Sequence, residues 1–347
     1  MSLPFAPPLE PMLAEAQDEI PAGPGWRYEP KWDGFRAIVF RDGESVYLSS
    51  REGKPLARYF PEVCAALAAA LPHRCIVDGE IILAGEKGLD FDSLQQRLHP
   101  AASRVNKLSV ETPASFVVFD VLAMGDDDWR GRPFSERRAE LERWVSNEQV
   151  FVTPQTAVLE EAKGWFRDFE GAGCDGVIAR REALSYRPGE RVMVKVKHGR
   201  FADVVVGGYR EGKKPGTVGS LLLGLYDERG VLHHVGHTSS FSAKEKAALL
   251  VQLVPLKEGD SFGQGRTPGG PSRWTVGKDM TWVPLKPVLV CEVRYDFVQS
   301  GRFRHASTFI RWRTDKSPTS CTMAQLEPPN PFLLQKIIAL TPKSSPR

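Results

Sequence analysis

Acidic residues next to glycine lie inside two segments that otherwise predict buried strands. Residues 77–80 read VDGE and residues 174–177 read CDGV, each within an apolar run. An unpaired buried carboxylate is costly, so the fold must bring partners to these acids. One alternative is that both acids cap backbone amides in turns. If they face a phosphate site instead, Glu80 and Asp175 would hold a divalent metal ion, because hard cations take oxygen ligands.

A lysine is followed at fixed steps by an acid, a glycine and an arginine in residues 29–36, EPKWDGFR. This spacing suits an amine nucleophile beside a polyphosphate. Burial or nearby positive charge would lower the pKa of Lys31 and free its lone pair. Arg36 is close in sequence, and Lys195 and Lys197 are further candidates for that charge. The alternative is an ordinary solvated lysine.

Two further segments place side chains of interest on predicted strands. Residues 194–197 read VKVK, and strand alternation puts Lys195 and Lys197 on one face. Paired ammonium groups suit an oxyanion such as a phosphate, although a solvent-facing charged strand would read the same way. Phe119, in the apolar segment 116–122, could stack on a purine, but aromatics on such strands are more commonly core residues.

Length and composition indicate a globular protein of about two domains, since 347 residues exceed one small core. The five cysteines are scattered and lack a C-x-x-C pair, which favours reduced thiols over a zinc module or disulfides. No apolar run is long enough to span a bilayer, and the first residues do not resemble a signal peptide. We therefore expect a cytoplasmic protein. The net charge of +3 permits a polyanionic partner without requiring one.

The order of predicted elements indicates an α+β protein whose character changes near residue 200. Residues 1–200 mix strands with helices and predict antiparallel sheets with helices outside. Residues 201–325 predict five short strands and one helix, which Ser242 and Glu245 would begin with a capping box; this is the content of an OB-type barrel. Residues 326–347 are rich in proline and predict a partly disordered tail.

Taken together, these segments resemble the ordered motifs of the covalent nucleotidyltransferase superfamily, which comprises ATP-dependent DNA ligases, RNA ligases and capping enzymes. Residues 11–14 (PMLA), 119–122 (FDVL) and 311–313 (RWR) resemble the ATP-dependent DNA ligases most closely. The compact layout is similar to the short bacterial ligase C type. The resemblance spans roughly residues 11–316 and implies an adenylation domain followed by an OB-fold domain.

The resemblance implies a role for each matching residue around ATP. Lys31 would attack the α-phosphate and carry AMP covalently, and Glu29 would accept a hydrogen bond from the adenine amino group. Phe119 would stack on adenine. Glu80 and Asp175 would bind Mg²⁺ or Mn²⁺.

The remaining implied contacts are made by cations and one further acid. Arg36 and Arg51 would contact the sugar and phosphate region, and Arg191 a phosphate. Lys195 and Lys197 would bind the α-phosphate. In the second domain, the departing pyrophosphate would be oriented by Arg313, Asp315 and Lys316.

Two positions depart from the family pattern. The fourth motif usually has Glu-Gly where this chain has Asp175-Gly176, which shortens the carboxylate by one bond. The fifth motif often has an aromatic residue where this chain has Met193. The first change affects the expected metal geometry and the second the packing near the α-phosphate.

The implied activity is sealing of nicks in double-stranded DNA through a lysine–AMP intermediate, in DNA repair. A monomer is expected, associated with the nucleoid and assisted by DNA end-binding or repair polymerase proteins. The barrel domain would rotate about a hinge near residues 197–203. Alternatives are an RNA ligase or capping-type enzyme, which Glu29 and the 311–316 ending disfavour, and a catalytically inactive nucleic-acid-binding module.

Overall fold

The computed structural model describes residues 3–86, 88–144, 147–257, 259–263, 268, 281–326 and 333–340. The chain divides into two compact units, one of residues 1–198 with 328–347 and one of residues 199–327. The division lies within the segment 197–203 that we expect to be a hinge. Among the described helices, none has the length and apolar character needed to cross a membrane.

The first unit is built from strands with short helices around them. Its strands are β1 (Leu13–Gln17), β2 (Trp26–Pro30), β3 (Phe35–Asp42), β4 (Ser45–Ser50), β5 (Arg74–Ile82), β6 (Ala84–Gly85), β7 (Gly88–Leu89), β8 (Ser115–Met124), β9 (Asp127–Asp128), β10 (Val150–Val152), β11 (Gly176–Arg181) and β12 (Arg191–Lys197). Its α-helices before the unit boundary are α1 (Pro61–Ala70), α2 (Phe91–Gln96), α3 (Ala102–Glu111), α4 (Phe134–Leu141) and α5 (Leu159–Asp168). Short 3-10 helices lie at Ala57–Tyr59 and Phe169–Ala172.

Two sheets organise this unit. One has the strand order β1-β12-β11-β2 and the other β10-β8-β5-β3-β4, with β9 added beside β8 and with β6 and β7 forming a separate pair. Most pairings are antiparallel, as the sequence predicts. The outermost strands β1 and β10 differ, because each pairs in parallel with its neighbour, β12 and β8 respectively.

The central strands of the larger sheet are buried on both faces, which explains their nearly continuous apolar sequence. All side chains of β8 from Phe116 to Ala123 are buried. The first two strands of this sheet along the chain, β3 and β4, form a hairpin. In it Asp42 pairs with Ser45, and Gly43 has a φ of 63°. Glycine accepts this positive φ in a two-residue turn at little cost.

At two glycines of the first unit, a neighbouring segment of backbone approaches too closely to leave room for a side chain. A Cβ atom at Gly176 would lie 2.0 Å from the Val196 carbonyl oxygen, and its φ is 138°. A Cβ atom at Gly34 would lie 2.1 Å from the carbonyl oxygen of Ile81. Both glycines stand next to an acid in the motifs described above, so the acid–glycine pattern has a steric cause.

The second unit is a strand-rich unit with one α-helix in its described part. Its strands are β13 (Arg200–Glu211), β14 (Val218–Tyr226), β15 (Leu232–Thr238), β16 (Val283–Pro284), β17 (Val290–Tyr295), β18 (Val298–Gln299), β19 (Arg302–Phe303) and β20 (Thr308–Trp312), and its α-helix is α6 (Ala243–Leu253). Short 3-10 helices lie at Val254–Leu256, Pro318–Ser320 and Met323–Leu326. The main sheet runs β15-β14-β13-β17-β20, the five-stranded arrangement expected of an OB fold.

The sequence-predicted start of α6 is confirmed. The Ser242 hydroxyl accepts a hydrogen bond from the Glu245 backbone, and the Glu245 carboxylate accepts one from the Ser242 backbone, completing the capping box. The helix packs Leu249 and Leu253 into the core of the second unit. The start of this helix therefore follows from local signals alone.

The chain returns to the first unit after the second. Residues Leu334–Ile338 form helix α7, and Leu334 and Ile337 are buried in a cluster that contains Trp165 and Phe169. The sequence predicts that residues 326–347 form a partly disordered tail. Within that range residues 334–338 form a docked helix, because two of its apolar side chains find an apolar surface on the first unit.

Candidate active site

One cavity of the first unit brings most of the predicted site residues together. It has a volume of about 250 Å³ and is lined by strands of both sheets. Nine predicted residues line it: Glu29, Lys31, Arg36, Arg51, Glu80, Phe119, Arg191, Lys195 and Lys197. They come from segments more than a hundred residues apart, so this meeting point is a product of the fold.

Backbone hydrogen bonds fix Lys31 against Asp175 at the end of β2. The Lys31 N–H donates to the carbonyl oxygen of Gly176, and the Asp175 N–H donates to the carbonyl oxygen of Lys31, each at 2.9 Å. The side chains then pair, with Lys31 Nζ 2.8 Å from Asp175 Oδ2. Lys197 Nζ lies 2.8 Å from the same oxygen. One carboxylate oxygen thus holds two ammonium groups.

The pKa of Lys31 moves opposite to the sequence expectation. Burial lowers the pKa, but the carboxylates of Asp175, Glu80 and Asp33 outweigh burial and raise the pKa above its ordinary value. The expected influence of Arg36 is wrong, because Arg36 Nε instead pairs with Asp78 at 2.5 Å. Lys31 is therefore a charged ammonium in this structure, and it needs its carboxylate partners neutralised before it can act as a nucleophile.

Glu80 differs from Asp175 in its protonation. Burial raises the pKa of Glu80 to about 7, while Arg36 and Lys31 counteract part of that rise. The pKa of Asp175 is lowered instead, because Lys31 and Lys197 outweigh the effect of burial. The site therefore holds one ionised carboxylate and one that titrates near neutral pH.

A group of cations lines another part of the cavity. The pKa of Lys195 is lowered by partial burial and by the charges of Lys197, Lys31, Arg191 and Arg51. Burial is the larger cause, and the four neighbouring cations add a repulsion between positive charges. A polyanion such as a triphosphate would relieve this repulsion.

Arg36 is held by residues that the sequence analysis did not identify. Its guanidinium donates twice to the Asp78 carboxylate, at 2.5 and 2.6 Å, and Tyr186 donates its hydroxyl to the same acid at 2.6 Å. The Met12 N–H donates to the Tyr186 hydroxyl oxygen. Arg36 also lies 4.8 Å over the ring of Phe119. Arg36 thus covers one face of the Phe119 ring, and a base that stacks on this ring would have to use the other face.

Glu29 lies in a buried ionic network. Its Oε2 accepts hydrogen bonds from Nε and Nη2 of Arg180, and its Oε1 accepts one from Gln155 at 3.2 Å. Arg180 Nη1 also donates to Asp120 at 3.1 Å, and Arg137 donates to both oxygens of Asp120. Glu29 and Arg180 both line the cavity. The network connects β2, β8 and β11.

The other three predicted residues belong to the second unit. Arg313 Nη1 lies 2.8 Å from Asp203 Oδ1, and its Nε and Nη2 lie 2.9 and 2.8 Å from the Asp315 carboxylate. Lys316 Nζ lies 3.3 Å from Asp203 Oδ2. Asp203 and Asp315 thus hold the two cations together on this unit.

The missed residues share one property: their partners are distant in sequence. Arg180 lies inside the segment 174–180 that contains Asp175, and alternation along β11 places it on the face of Ile178, which also lines the cavity. That alternation was the available signal. For Asp78 and Asp120, the signal was an acid within an apolar segment, whereas Tyr186 lies in the mixed segment 182–186, which gives no such signal.

Comparison with known proteins adds a second kind of evidence. The family model of an ATP dependent DNA ligase domain matches residues 11–197, and that of an ATP dependent DNA ligase C terminal region matches residues 214–316. The chain is 52% identical to DNA ligase C of Mycobacterium tuberculosis, with 97% of this chain and 99% of that protein covered. It is 50% identical to DNA ligase C2 of Mycolicibacterium smegmatis, with 95% and 97% covered.

Solved structures agree at the level of the fold. A chain from a structure–function analysis of Lig E DNA ligases superposes with a TM-score of 0.55 at 19% sequence identity, covering 87% of this chain and 99% of that one. At this identity the likeness concerns the fold alone.

Proposed function

The chain belongs to the ATP-dependent DNA ligases, and we propose that it seals nicks in duplex DNA by carrying AMP on Lys31. The observation that carries the assignment of the nucleophile is the position of the Lys31 amine. Lys31 lines the cavity together with Lys195 and Lys197, and its amine lies 2.8 Å from Asp175 Oδ2. An amine at this place would meet the phosphates of a nucleotide bound there.

The proposed reaction has three in-line displacements at phosphorus. The uncharged Lys31 amine attacks the α-phosphorus of ATP, a nitrogen–phosphorus bond forms, and pyrophosphate leaves. The 5′-phosphate at the nick then attacks the same phosphorus and Lys31 leaves. Finally the 3′-hydroxyl attacks the activated 5′-phosphate, AMP leaves, and the strand is joined. Positioning and charge neutralisation are the main tasks of the protein in such displacements.

The cations of the cavity are suited to the phosphates. Lys195 and Lys197 lie on one face of β12 beside Lys31, and we assign them to the α-phosphate. Arg191 would contact a phosphate. Arg51 would contact the sugar and phosphate region, and Arg36 would do so once the nucleotide draws it from Asp78. In the second unit, Arg313, Asp315 and Lys316 would orient the pyrophosphate.

Glu80 and Asp175 suit a divalent ion such as Mg²⁺ or Mn²⁺. Both are carboxylates whose charges act on Lys31, and Mg²⁺ is commonly held by one or two carboxylates together with substrate phosphates. A bound ion would supply positive charge to the triphosphate. Asp175, when engaged by such an ion, would release Lys31, and burial would then lower the pKa of the amine.

Phe119 and Glu29 would contact the base. The ring of Phe119 lines the cavity and would stack on adenine, although Arg36 covers part of it. The Glu29 carboxylate would accept a hydrogen bond from the adenine amino group. These two contacts would select the base, while the cations bind the phosphates.

Nicked DNA would bind through the phosphates of its backbone. Basic residues are available on both units, among them Arg187 and Arg200, and Lys213 and Lys214 beyond β13. Such contacts give binding that is independent of sequence and weakens with salt. A rotation of the second unit about residues 197–203 would let one cavity serve ATP first and the nick second. A dissociation constant that is unchanged by salt would contradict this part of the proposal.

The cellular setting of the proposal is DNA repair in the bacterial cytoplasm and nucleoid, with the protein acting as a monomer. End-binding proteins or a repair polymerase would be its partners. Ligation of a nicked duplex by the protein alone, measured against its mixture with such proteins, separates a dependence on partners from the chemistry itself.

Intact-mass measurement after incubation with ATP and Mg²⁺ tests the nucleophile. The wild-type chain should gain the mass of one AMP, and Lys31→Ala should gain nothing. Lys163→Ala is the matched control, because Lys163 is an exposed lysine of the same unit that pairs with Glu160 on the surface. An adduct on Lys31→Ala, or none on wild type, would refute the assignment. Nicked DNA and nicked RNA substrates then distinguish a DNA ligase from an RNA ligase.

A further inference from the structure

The Glu29 carboxylate is held by three groups from different parts of the first unit. Arg180 comes from β11, Arg138 from α4, and Gln155 from the segment after β10. Glu29 and Arg180 are each 3% exposed. Such a carboxylate cannot reorient freely, because each oxygen has a partner that water cannot replace.

The two oxygens of Glu29 are used unequally. Oε2 accepts two hydrogen bonds from Arg180, which fills the lone pairs of that atom. Oε1 accepts one hydrogen bond, from Gln155 at 3.2 Å, and Arg138 Nη1 lies farther away at 3.5 Å. Oε1 therefore retains acceptor capacity.

Arg180 is itself fixed on the side away from Glu29. Its Nη1 donates to Asp120, and its guanidinium lies 4.2 Å over the ring of Phe134. Asp120 is in turn paired with Arg137, which is fully buried. The guanidinium plane thus has an ion pair on two edges and an aromatic ring on one face. This arrangement makes Arg180 a rigid support for one orientation of Glu29.

We propose that Arg180 is a positioning residue that makes the site selective for adenine, by holding the Glu29 carboxylate in one orientation toward the base. Adenine presents an amino donor at the position where guanine presents a carbonyl acceptor. A fixed carboxylate acceptor binds the first and repels the second. Without Arg180, the Glu29 carboxylate would lose both hydrogen bonds to Oε2 and would be free to turn away from the base. This inference rests on the proposed adenylation of Lys31.

The experiment compares covalent loading of Lys31 from ATP and from GTP. Intact-mass measurements over time give the apparent second-order rate constant of adduct formation with each nucleotide. They are made for wild type, Arg180→Met and Arg180→Lys. In Arg180→Met the preference for ATP should fall by about tenfold or more, since sites built on hydrogen bonds discriminate by orders of magnitude. Arg180→Lys keeps the charge and should recover part of the preference.

The ratio of loading from ATP to loading from GTP is a readout that a merely structural role would not change. A loss of stability would lower the amount of adduct formed from both nucleotides alike. An ATP-to-GTP ratio in Arg180→Met equal to that of wild type would overturn the proposal.

Arg97→Met is the matched control for lost stability. Arg97 is also fully buried, and it donates from both terminal nitrogens to the two oxygens of Glu62, at 2.6 and 2.9 Å. It is not among the residues that line the cavity. Its loss should destabilise the unit while leaving the ATP-to-GTP ratio unchanged. If Arg97→Met shifts the ratio as Arg180→Met does, the effect is general and the proposal fails. No adduct on wild type would instead refute the proposed function.

Discussion

At the scale of single residues, the charge of Lys31 is set by partners that the sequence does not place beside it. Arg36 is five residues away in the chain but faces Asp78, whereas Asp175 is 144 residues away and forms the ion pair. The motif therefore singles out Lys31 as the proposed nucleophile. It predicts the wrong direction for its pKa, because the three carboxylates that decide it converge only in the fold.

Replacing Asp175 by Asn should lower the pKa of Lys31. With that carboxylate gone, the largest influence that raises the pKa is lost and burial, which lowers it, gains weight. The pKa can be followed by NMR of ¹³C-methylated lysines. Glu160→Gln beside the exposed Lys163 is the control, and it should leave Lys31 unchanged. A Lys31 pKa that stays raised in Asp175→Asn would show that Glu80 and Asp33 suffice.

Glu80 should make metal use depend on pH near neutrality. Its pKa is raised to about 7, so the carboxylate is mostly protonated below that pH and ionised above it. A cation competes with a proton for the ionised form. The Mg²⁺ concentration for half-maximal adenylation should therefore fall as the pH rises from about 6 to 8.

Glu80→Gln tests the origin of that pH dependence. The variant should need more Mg²⁺ at every pH, and the change near pH 7 should be absent. If the wild-type dependence persists in Glu80→Gln, another group is responsible. Asp175 is not that group under this scheme, because its pKa is lowered.

At the scale of elements, a short stretch of sequence predicts the start of a helix when hydrogen bonds between neighbouring residues determine that start. The capping box of α6 follows from a few neighbouring residues and agrees with the structure. The Glu29–Arg180–Asp120 network could not be predicted in this way, since its pairs are 151 and 60 residues apart.

The junction of β2 and β11 depends on Gly176. In Gly176→Ala the added Cβ would lie 2.0 Å from the Val196 carbonyl oxygen, in a backbone with φ of 138°. The free energy of unfolding should fall by about 1–3 kcal/mol for the strained backbone alone, and further for the clash. Adenylation should be lost as well, because Lys31 and Asp175 are aligned by this junction.

Gly125→Ala separates strain from collision. Gly125 also has a positive φ, 57°, but no atom lies within 4 Å of the position that an added Cβ would take. Denaturant unfolding of the two variants should show a much smaller loss for Gly125→Ala, with adenylation retained. Equal losses would mean that the close approach at Gly176 is unimportant.

At the scale of the whole molecule, the chain passes from the first unit to the second and returns with α7. Composition predicts the change near residue 200, because the helices become rare there and short strands follow. It does not predict the return, since proline-rich surroundings obscure five residues of helix.

Docking of α7 should stabilise the first unit through two buried side chains. Leu334 is 3% exposed and Ile337 is fully buried, whereas Leu333 and Leu340 at the ends of the helix are 60% and 49% exposed. Each Ala substitution at a buried site should lower the free energy of unfolding by about 2–5 kcal/mol, depending on how far the neighbouring side chains relax.

The double variant Leu334→Ala/Ile337→Ala is therefore compared with Leu333→Ala/Leu340→Ala. Hydrogen exchange should increase around Trp165 and Phe169 only in the first variant, with β13 to β15 of the second unit unchanged. Equal exchange in both variants would mean that α7 does not hold to this surface in solution.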